Sequence, residues 1–273
     1  MTRLVAPAKL TTALRVLGRR EDGYHLLEAE MVSLDLADEL ELTEGEEGSE
    51  VRDLVAWVGL PGTAPPEQAG PPGANLVERA LELCGRRARW HLDKHIPTGA
   101  GLGGGSSDAA AVLRWAGVAD LSVAAGLGAD VPFCLVGGRA RVSGIGEVVE
   151  PLADGEASAF LLVTPRVHVS TPVVYRAFDE LGGPRGEHGN DLEPAALAAY
   201  PELRWWRDLL GAASGSRPRL AGSGGTWFVE GAAEALGELA EGVRGEIVSG
   251  RESAFVRLAR RTGPSAVQAA RPV

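Results

Sequence analysis

The stretch IPTGAGLGGGSSDAAAVL, Ile96 to Leu113, puts glycine at five of the seven positions from 99 to 105, then adds two serines, an aspartate and an alanine-rich apolar run. Glycine exposes its N–H group and reaches backbone conformations closed to other residues, so such a run can wrap amide donors around an anion. The apolar run predicts a helix ending at Gly117, whose unpaired first N–H groups and positive dipole end strengthen that pull. Phosphate is the guest that suits these properties. Ser106, Ser107 and Asp108 also have a purely structural reading, as capping and first-turn groups of that helix.

Three kinds of phosphate loop compete. The Gly-x-x-x-x-Gly-Lys-Ser/Thr loop needs lysine where Gly105 stands, and is excluded. A dinucleotide fingerprint is formally present in Gly99, Gly101 and Gly104, but Pro97 and the extra glycines fit poorly with its tight strand-to-helix turn. The third is a lysine-free glycine loop, and it accommodates every position of the stretch.

Upstream, ARWHLDKHIP alternates like a strand and feeds the loop, while ANLVERALELCG has the spacing of an amphipathic helix. Residues 59 to 73 are rich in proline and glycine and read as a loop or flap. The chain opens with RLVAPAKLTTALRVLG, a strand with Lys9 inside it; an unpaired ammonium there would be costly, so a carboxylate or phosphate partner is expected. A charged turn at Asp22-Gly23 leads into a second strand-like stretch around Val32 to Leu40. Downstream, GADVPF places Asp130 in a turn, where aspartate commonly serves structure alone. A hairpin is expected about Gly144 and Gly146, and a soft domain boundary at Pro151 to Ser158. Beyond it, helical stretches alternate with three short strands, AFLLVTP, TWFVEG and EIVSG, which predicts an α+β arrangement with a helix layer on a sheet.

Composition bounds the rest. The 273 residues allow one large domain or two smaller ones, and a formal net charge of −10 argues against nucleic acid or an anionic membrane as partner. Cys84 and Cys134 have no metal-ligand spacing, so neither a zinc site nor a disulfide framework is expected. No signal-peptide core or membrane-spanning run is present, and a cytoplasmic location is expected.

The loop PTGAGLGGGSSDAAA closely resembles the phosphate-binding motif of the GHMP kinase superfamily. APAKL (6–10), GRREDGYH (18–25), GADVPF (128–133), STPVVY (170–175), NDLEP (190–194) and LAGSGGTWF (220–228) follow in that superfamily's order. Together they resemble the branch that phosphorylates the 2-hydroxyl of a cytidine-diphosphate-linked methylerythritol for isoprenoid synthesis. The resemblance implies an N-terminal domain like ribosomal protein S5 domain 2, here 1–152, and a ferredoxin-like C-terminal domain, here 153–273. It further implies ATP with Mg²⁺ as cosubstrate, a small-molecule acceptor, and action as a monomer or homodimer.

Residue by residue, the resemblance gives Asp130 as the catalytic base and Lys9 as its partner, stabilising charge on the reacting hydroxyl. ATP would be held by Pro97, Gly99, Gly101, Leu102, Gly103, Gly104, Gly105, Ser106 and Ser107, with Asn75 and Lys94 toward adenine; Asp108 stays divided between capping and phosphate. Tyr24, His25 and Tyr175 match the positions that hold cytosine, where an aromatic face contributes about 1–3 kcal/mol per base. Gly222, Ser223 and Gly224 begin a glycine loop running to Thr226 that lets backbone approach the substrate, and Asn190 and Asp191 either support the cleft or start a helix. Two departures stand out: Thr11 occupies the place of the superfamily branch's substrate-contacting asparagine, and the segment 114–127 is short. They leave open a kinase for another alcohol, or a nucleotide-binding relative without catalysis.

Overall fold

The computed structural model describes residues 1–59, 75–153, 158–250, 252–266 and 270–272. Most of the proline- and glycine-rich stretch, and residues 154–157 at the expected boundary, lie outside them. In chain order the elements are β1 (Thr2–Arg19), β2 (His25–Glu44), β3 (Ser49–Asp53), β4 (Trp57–Gly59), α1 (Leu76–Leu83), β5 (Ala88–Lys94), α2 (Gly104–Trp115), α3 (Leu121–Ala125) and α4 (Val131–Val136). The hairpin β6 (Arg139–Gly144) and β7 (Val148–Pro151) follows, then β8 (Ala159–Pro165), α5 (Thr171–Glu180), α6 (Glu193–Ala199) and α7 (Leu203–Ser214). The chain closes with β9 (Arg219–Leu220), β10 (Trp227–Gly231), α8 (Ala233–Ser249), β11 (Ser253–Thr262) and β12 (Ala270–Pro272).

The strands form one mixed, mostly antiparallel sheet with the path β12-β1-β2-β11-β8-β10-β9, to which β3, β4, β5, β6 and β7 attach at the sides. The continuous apolar run AFLLVTP becomes β8, buried at every residue, because it packs on both faces. Leu161 and Val163 join the larger core, which includes the helices, while Phe160 and Leu162 join a second cluster with Leu34, Ile96, Leu102 and Phe228. That second cluster lies beneath the start of the glycine loop. Burying side chains of the size of Ile96 and Leu102 contributes about 1.5–3 kcal/mol each, which anchors both ends of a loop otherwise rich in freedom.

β1 is not a regular strand. Its pairing with β2 slips between Pro7 and Lys9 and again between Thr11 and Ala13. Such irregularities re-aim side chains. Ala8 and Leu10 enter the second cluster, while Lys9 turns its stem under Gly103 and its N–H donates to Leu102 O at 2.9 Å instead of to the sheet.

Three sequence expectations need correction. EIVSG is the last turn of α8, a helix of 17 residues whose inward positions Leu236, Ala240, Val243 and Ile247 keep helical spacing. The strand that completes the sheet is SAFVRLARRT, β11, which pairs with β8 along its length and with β2 at Arg261 and Thr262. The glycine-loop helix begins at Gly104, so Ser106, Ser107 and Asp108 stand inside it and not at its cap; Gly103 takes that place in a left-handed conformation. No helix among the described residues is long and apolar enough to cross a membrane.

Candidate active site

The glycine loop bridges β5 and α2 and walls a cavity of about 380 Å³. Gly99, Gly101 and Gly103 all have φ between +67° and +78°, so every second residue is left-handed and successive N–H groups turn to one side. Space matters as much as conformation. A Cβ on Gly101 would run into the carbonyl oxygens of Gly224 and Ala221, and one on Gly103 would stand 2.6 Å from Lys9 Cγ. Asn75, Lys94, Pro97, Leu102, Gly104, Gly105 and Ser106 line the same cavity, with Val51, Leu76, Leu92 and Ile96 as an apolar wall. Asn75 has two tasks, since its Oδ1 also caps α1 by accepting from Val77 N at 2.9 Å. Ser107 is drawn away: it is fully buried, its hydroxyl donates to Pro7 O at 2.7 Å, and it does not line the cavity.

Beneath the loop lies a buried charge cluster that sequence reading only half anticipated. Lys94 Nζ donates to Asp108 Oδ2 at 2.7 Å and to Asp38 Oδ2. Asp38 Oδ1 in turn accepts from the backbone N–H groups of His95 and Ile96, at 2.6 and 2.8 Å. Burial pulls the Lys94 ammonium down, yet the charges of Asp108 and Asp38 outweigh it and leave Lys94 above its ordinary value. Asp108 is pushed up to about 7, chiefly by burial and against the attraction of Lys94. Asp38 was missed, although LDLADEL carries a signal: in alternation with Leu34, Leu36 and Leu40 it takes an inward position, where an aspartate needs partners.

On the far side of Gly103, Lys9 Nζ meets Asp130 Oδ2 at 3.2 Å and donates to Thr11 Oγ1 at 3.3 Å. Lys9 is buried and the Asp130 side chain is a third exposed, so the pair is anchored from below and open to the cleft. Asp130 precedes α4 with φ −86° and ψ −13°, and its carboxylate makes no capping bond. Its side chain therefore does no local structural work. The short segment before it contains only the five-residue α3, capped by Asp120, and still leaves Asp130 within reach of Lys9.

A third group of residues flanks this pair. The rings of His25 and Tyr175 stack with centroids 4.7 Å apart, and Phe178 meets His25 edge-on. His25 Nε2 lies 2.7 Å from Asp179 Oδ1, whose other oxygen takes Arg19 at 3.2 Å. Asp179 stands four residues after Tyr175, on the same face of α5. Tyr24 is exposed at the neighbouring turn. Burial, helped by the nearby Asp130 charge, pushes the Tyr175 hydroxyl up to about 12.

The loop from Gly222 to Thr226 closes the cleft. Thr226 N and Oγ1 both donate to Ala100 O, at 3.2 and 2.7 Å, tying this loop to the first. Ser223 Oγ meets Thr171 Oγ1 at 2.7 Å, and a Cβ on Gly222 would lie 3.6 Å from Thr11 Oγ1. Asn190 Nδ2 donates to Leu220 O and Gly222 O, holding the loop from behind. Asp191 is buried and accepts from Arg15, Arg185, Val16 N and Gly186 N, so both residues support the cleft's frame.

Such an arrangement can seat a polyphosphate on the glycine loop and orient a hydroxyl at Lys9–Asp130, with a planar ring system near His25. Comparison with known proteins agrees. Residues 74–138 match the N-terminal domain of GHMP kinases. The 4-diphosphocytidyl-2-C-methyl-D-erythritol kinase of Paracoccus denitrificans is 38% identical over 244 residues, spanning 83% of this chain and 85% of its own. That of Cereibacter sphaeroides is 39% identical over 274 residues, spanning 87% and 95%. A crystal structure of 4-(cytidine 5'-diphospho)-2C-methyl-D-erythritol kinase is similar with a TM-score of 0.73 at 32% identity, covering 96% of this chain and all of that one. A homoserine kinase from Cytophaga hutchinsonii, at 17% identity and a TM-score of 0.62, shares the fold.

Proposed function

Because the chain belongs to the 4-diphosphocytidyl-2-C-methyl-D-erythritol kinase family of GHMP kinases, an α+β fold of ATP-dependent kinases, we propose that it transfers the γ-phosphoryl group of ATP to the 2-hydroxyl of that cytidine-diphosphate-linked polyol. The observation that carries the site assignment is the Lys9–Asp130 pair, 3.2 Å apart and separated from the cavity only by the glycine loop.

Phosphoryl transfer needs a held phosphate, an oriented nucleophile and compensation of developing charge. The amides of Gly99 to Gly105 and the start of α2 hold the triphosphate, with Ser106 at the same helix end, and the apolar wall at Leu76 and Leu92 takes adenine. Asp130 accepts the proton of the 2-hydroxyl as its oxygen attacks phosphorus, and Lys9 stabilises the charge on that oxygen. Magnesium arrives with ATP. Bound with the nucleotide, it would bridge phosphate oxygens and help neutralise the charge that develops on transfer. His25, Tyr175 and Tyr24 receive cytosine, and Gly222 to Gly224 approach the diphosphate. Residues 1–152 supply the ATP side and 153–273 complete the substrate side.

Thr11 keeps a hydroxyl beside Lys9 where an amide would offer donor and acceptor on two separate atoms, and this is the specific feature favouring a second reading, a different alcohol. A coupled ADP-release assay against a panel of alcohols separates the two. Turnover with the cytidine compound supports the proposal; turnover only with mevalonate, homoserine or galactose leaves the superfamily alone standing.

A further inference from the structure

The buried cluster beneath the glycine loop sets one ammonium between two carboxylates. Asp38, Lys94 and Asp108 come from β2, β5 and α2 and are each almost wholly buried. Two carboxylates facing one ammonium carry a net negative charge. That charge lies under the place where the loop must receive an anion: a Cβ on Gly104, the first residue of α2, would stand 3.1 Å from Lys94 Nζ and 3.2 Å from Asp38 Oδ2. Both Lys94 and Asp108 line the cavity itself.

The hydrogen bonds show where a neutralising proton goes. Both oxygens of Asp38 are satisfied, by Lys94 Nζ and by the N–H groups of His95 and Ile96. Asp108 has Lys94 on Oδ2, while its Oδ1 is buried with no hydrogen-bond partner. An orphaned, buried carboxylate oxygen is costly, and a proton on it removes the charge and supplies a donor.

We propose that Asp108 is a positioning residue of the ATP site that works as a neutral acid, so that nucleotide binding and proton uptake by the Asp38–Lys94–Asp108 cluster favour one another. The inference rests on the reading of the cavity as the ATP site. With Asp108 protonated the cluster is neutral and the dipole of α2 acts on the triphosphate unopposed; with Asp108 ionised, a buried negative charge opposes it. Linkage is reciprocal, so whatever affinity ATP gains from the proton, the proton gains from ATP. The groups touching Asp108 are Asp38 and Lys94. On the other elements packed against α2, Lys9 of β1 pairs with Asp130 ahead of α4, Cys134 of α4 is held as a thiol by burial, and Glu78 and Arg79 lie on α1. The raised affinity of Asp108 for its proton, to about 7, agrees with this geometry.

The test is calorimetric titration of the full-length protein with Mg-ATP, whose γ-phosphate is already ionised at neutral pH, in two buffers of different ionisation enthalpy. We expect net proton uptake near neutrality, and a Kd that rises about fivefold between about pH 7 and about pH 8.5. Asp108→Asn, neutral at every pH and still a donor, should abolish the uptake and flatten the profile; Asp108→Ala should weaken binding throughout. Equal uptake in Asp108→Asn and wild type, or a flat wild-type profile, overturns the inference while leaving the ATP site intact. Absence of Mg-ATP binding at any pH overturns both. Should the variants fail to fold, infrared difference spectra of wild type on adding Mg-ATP read the same event. A protonated-carboxyl band should grow, and its absence is decisive against the inference.

Discussion

At the scale of single residues, the distinction that matters is between side chains spent on local structure and side chains left over. Aspartate before a short helix ordinarily caps it, yet Asp130 makes no capping bond and turns to Lys9 instead. Asp130→Asn should therefore lower kcat by about 100-fold or more, the loss expected of a general base, with the melting temperature little changed. Stopped assays beside thermal melts check this, and a variant that keeps its rate would remove Asp130 from the chemistry. Lys9 was legible from its apolar surroundings alone, since a buried ammonium demands a partner. The partner, Asp130, was legible only through the resemblance and not from local pattern, because 121 residues separate the two and only the fold brings them together. Asp179 was missed for the same reason. It holds His25 Nε2 at 2.7 Å and thereby fixes which ring nitrogen remains for a ligand. Asp179→Asn should raise KM for the cytidine substrate by about tenfold while KM for ATP stays near wild type, the effect expected from loosening an orienting hydrogen bond. Steady-state kinetics with each substrate varied in turn distinguish this from general damage.

At the scale of the element, the glycine loop was readable in kind but not in detail. Its composition announces an anion cradle, whereas the assignment of Ser107 and Asp108 to a helix cap failed because α2 starts earlier, at Gly104. Once inside the helix, Ser107 binds Pro7 O and Asp108 binds Lys94, so both tie α2 to the strands beneath it. The glycines also divide into two kinds. Gly103 is left-handed and a Cβ there would strike Lys9 Cγ at 2.6 Å, so Gly103→Ala should cost about 1–2 kcal/mol in backbone strain alone and displace Lys9 from Asp130. Gly105 has an ordinary conformation, and its Cβ would meet only Leu76 Cδ1 at 3.5 Å, an ordinary contact. Yet it lines the cavity, so Gly105→Ala should fold normally and raise KM for ATP severalfold. Equal loss of stability in the two variants would contradict this division. EIVSG shows the opposite failure of reading: five residues with β-branched members look like a strand in isolation, but Ile247 continues the inward stripe of α8 by helical spacing.

At the scale of the whole molecule, the sheet could not be read from sequence because its closing pieces come last. β11 joins β8 to β2, and β12 pairs with the first residues of β1, so strands at the end of the chain complete a surface begun at its start. Alternation in SAFVRLARRT is weak, since Ala254, Phe255 and Val256 are buried in succession and Arg260 and Arg261 stand side by side. The same assembly buries carboxylates with opposite tendencies, and the stability of the fold must record both. Burial pushes Asp191 up, but Gly186 N–H, Arg15 and Val16 N–H outweigh it and hold the group below its ordinary value. Stability from Asp191 is thus complete above about pH 4 and lost as pH falls through its folded value. Asp108 runs the other way, raised to about 7, and Glu193 is raised by burial as well. Their protonated forms favour the fold below about pH 4, and that contribution disappears as pH climbs toward about 7 for Asp108. The melting temperature should therefore peak on the acid side of neutrality and fall by about 5 °C toward pH 8, a shift of the size expected for about 2 kcal/mol in a chain of this length. Asp108→Asn should flatten the neutral limb and leave the acid limb, which belongs to Asp191. Calorimetric melts across pH decide the matter, and an unchanged neutral limb in that variant would place the titrating group elsewhere in the molecule.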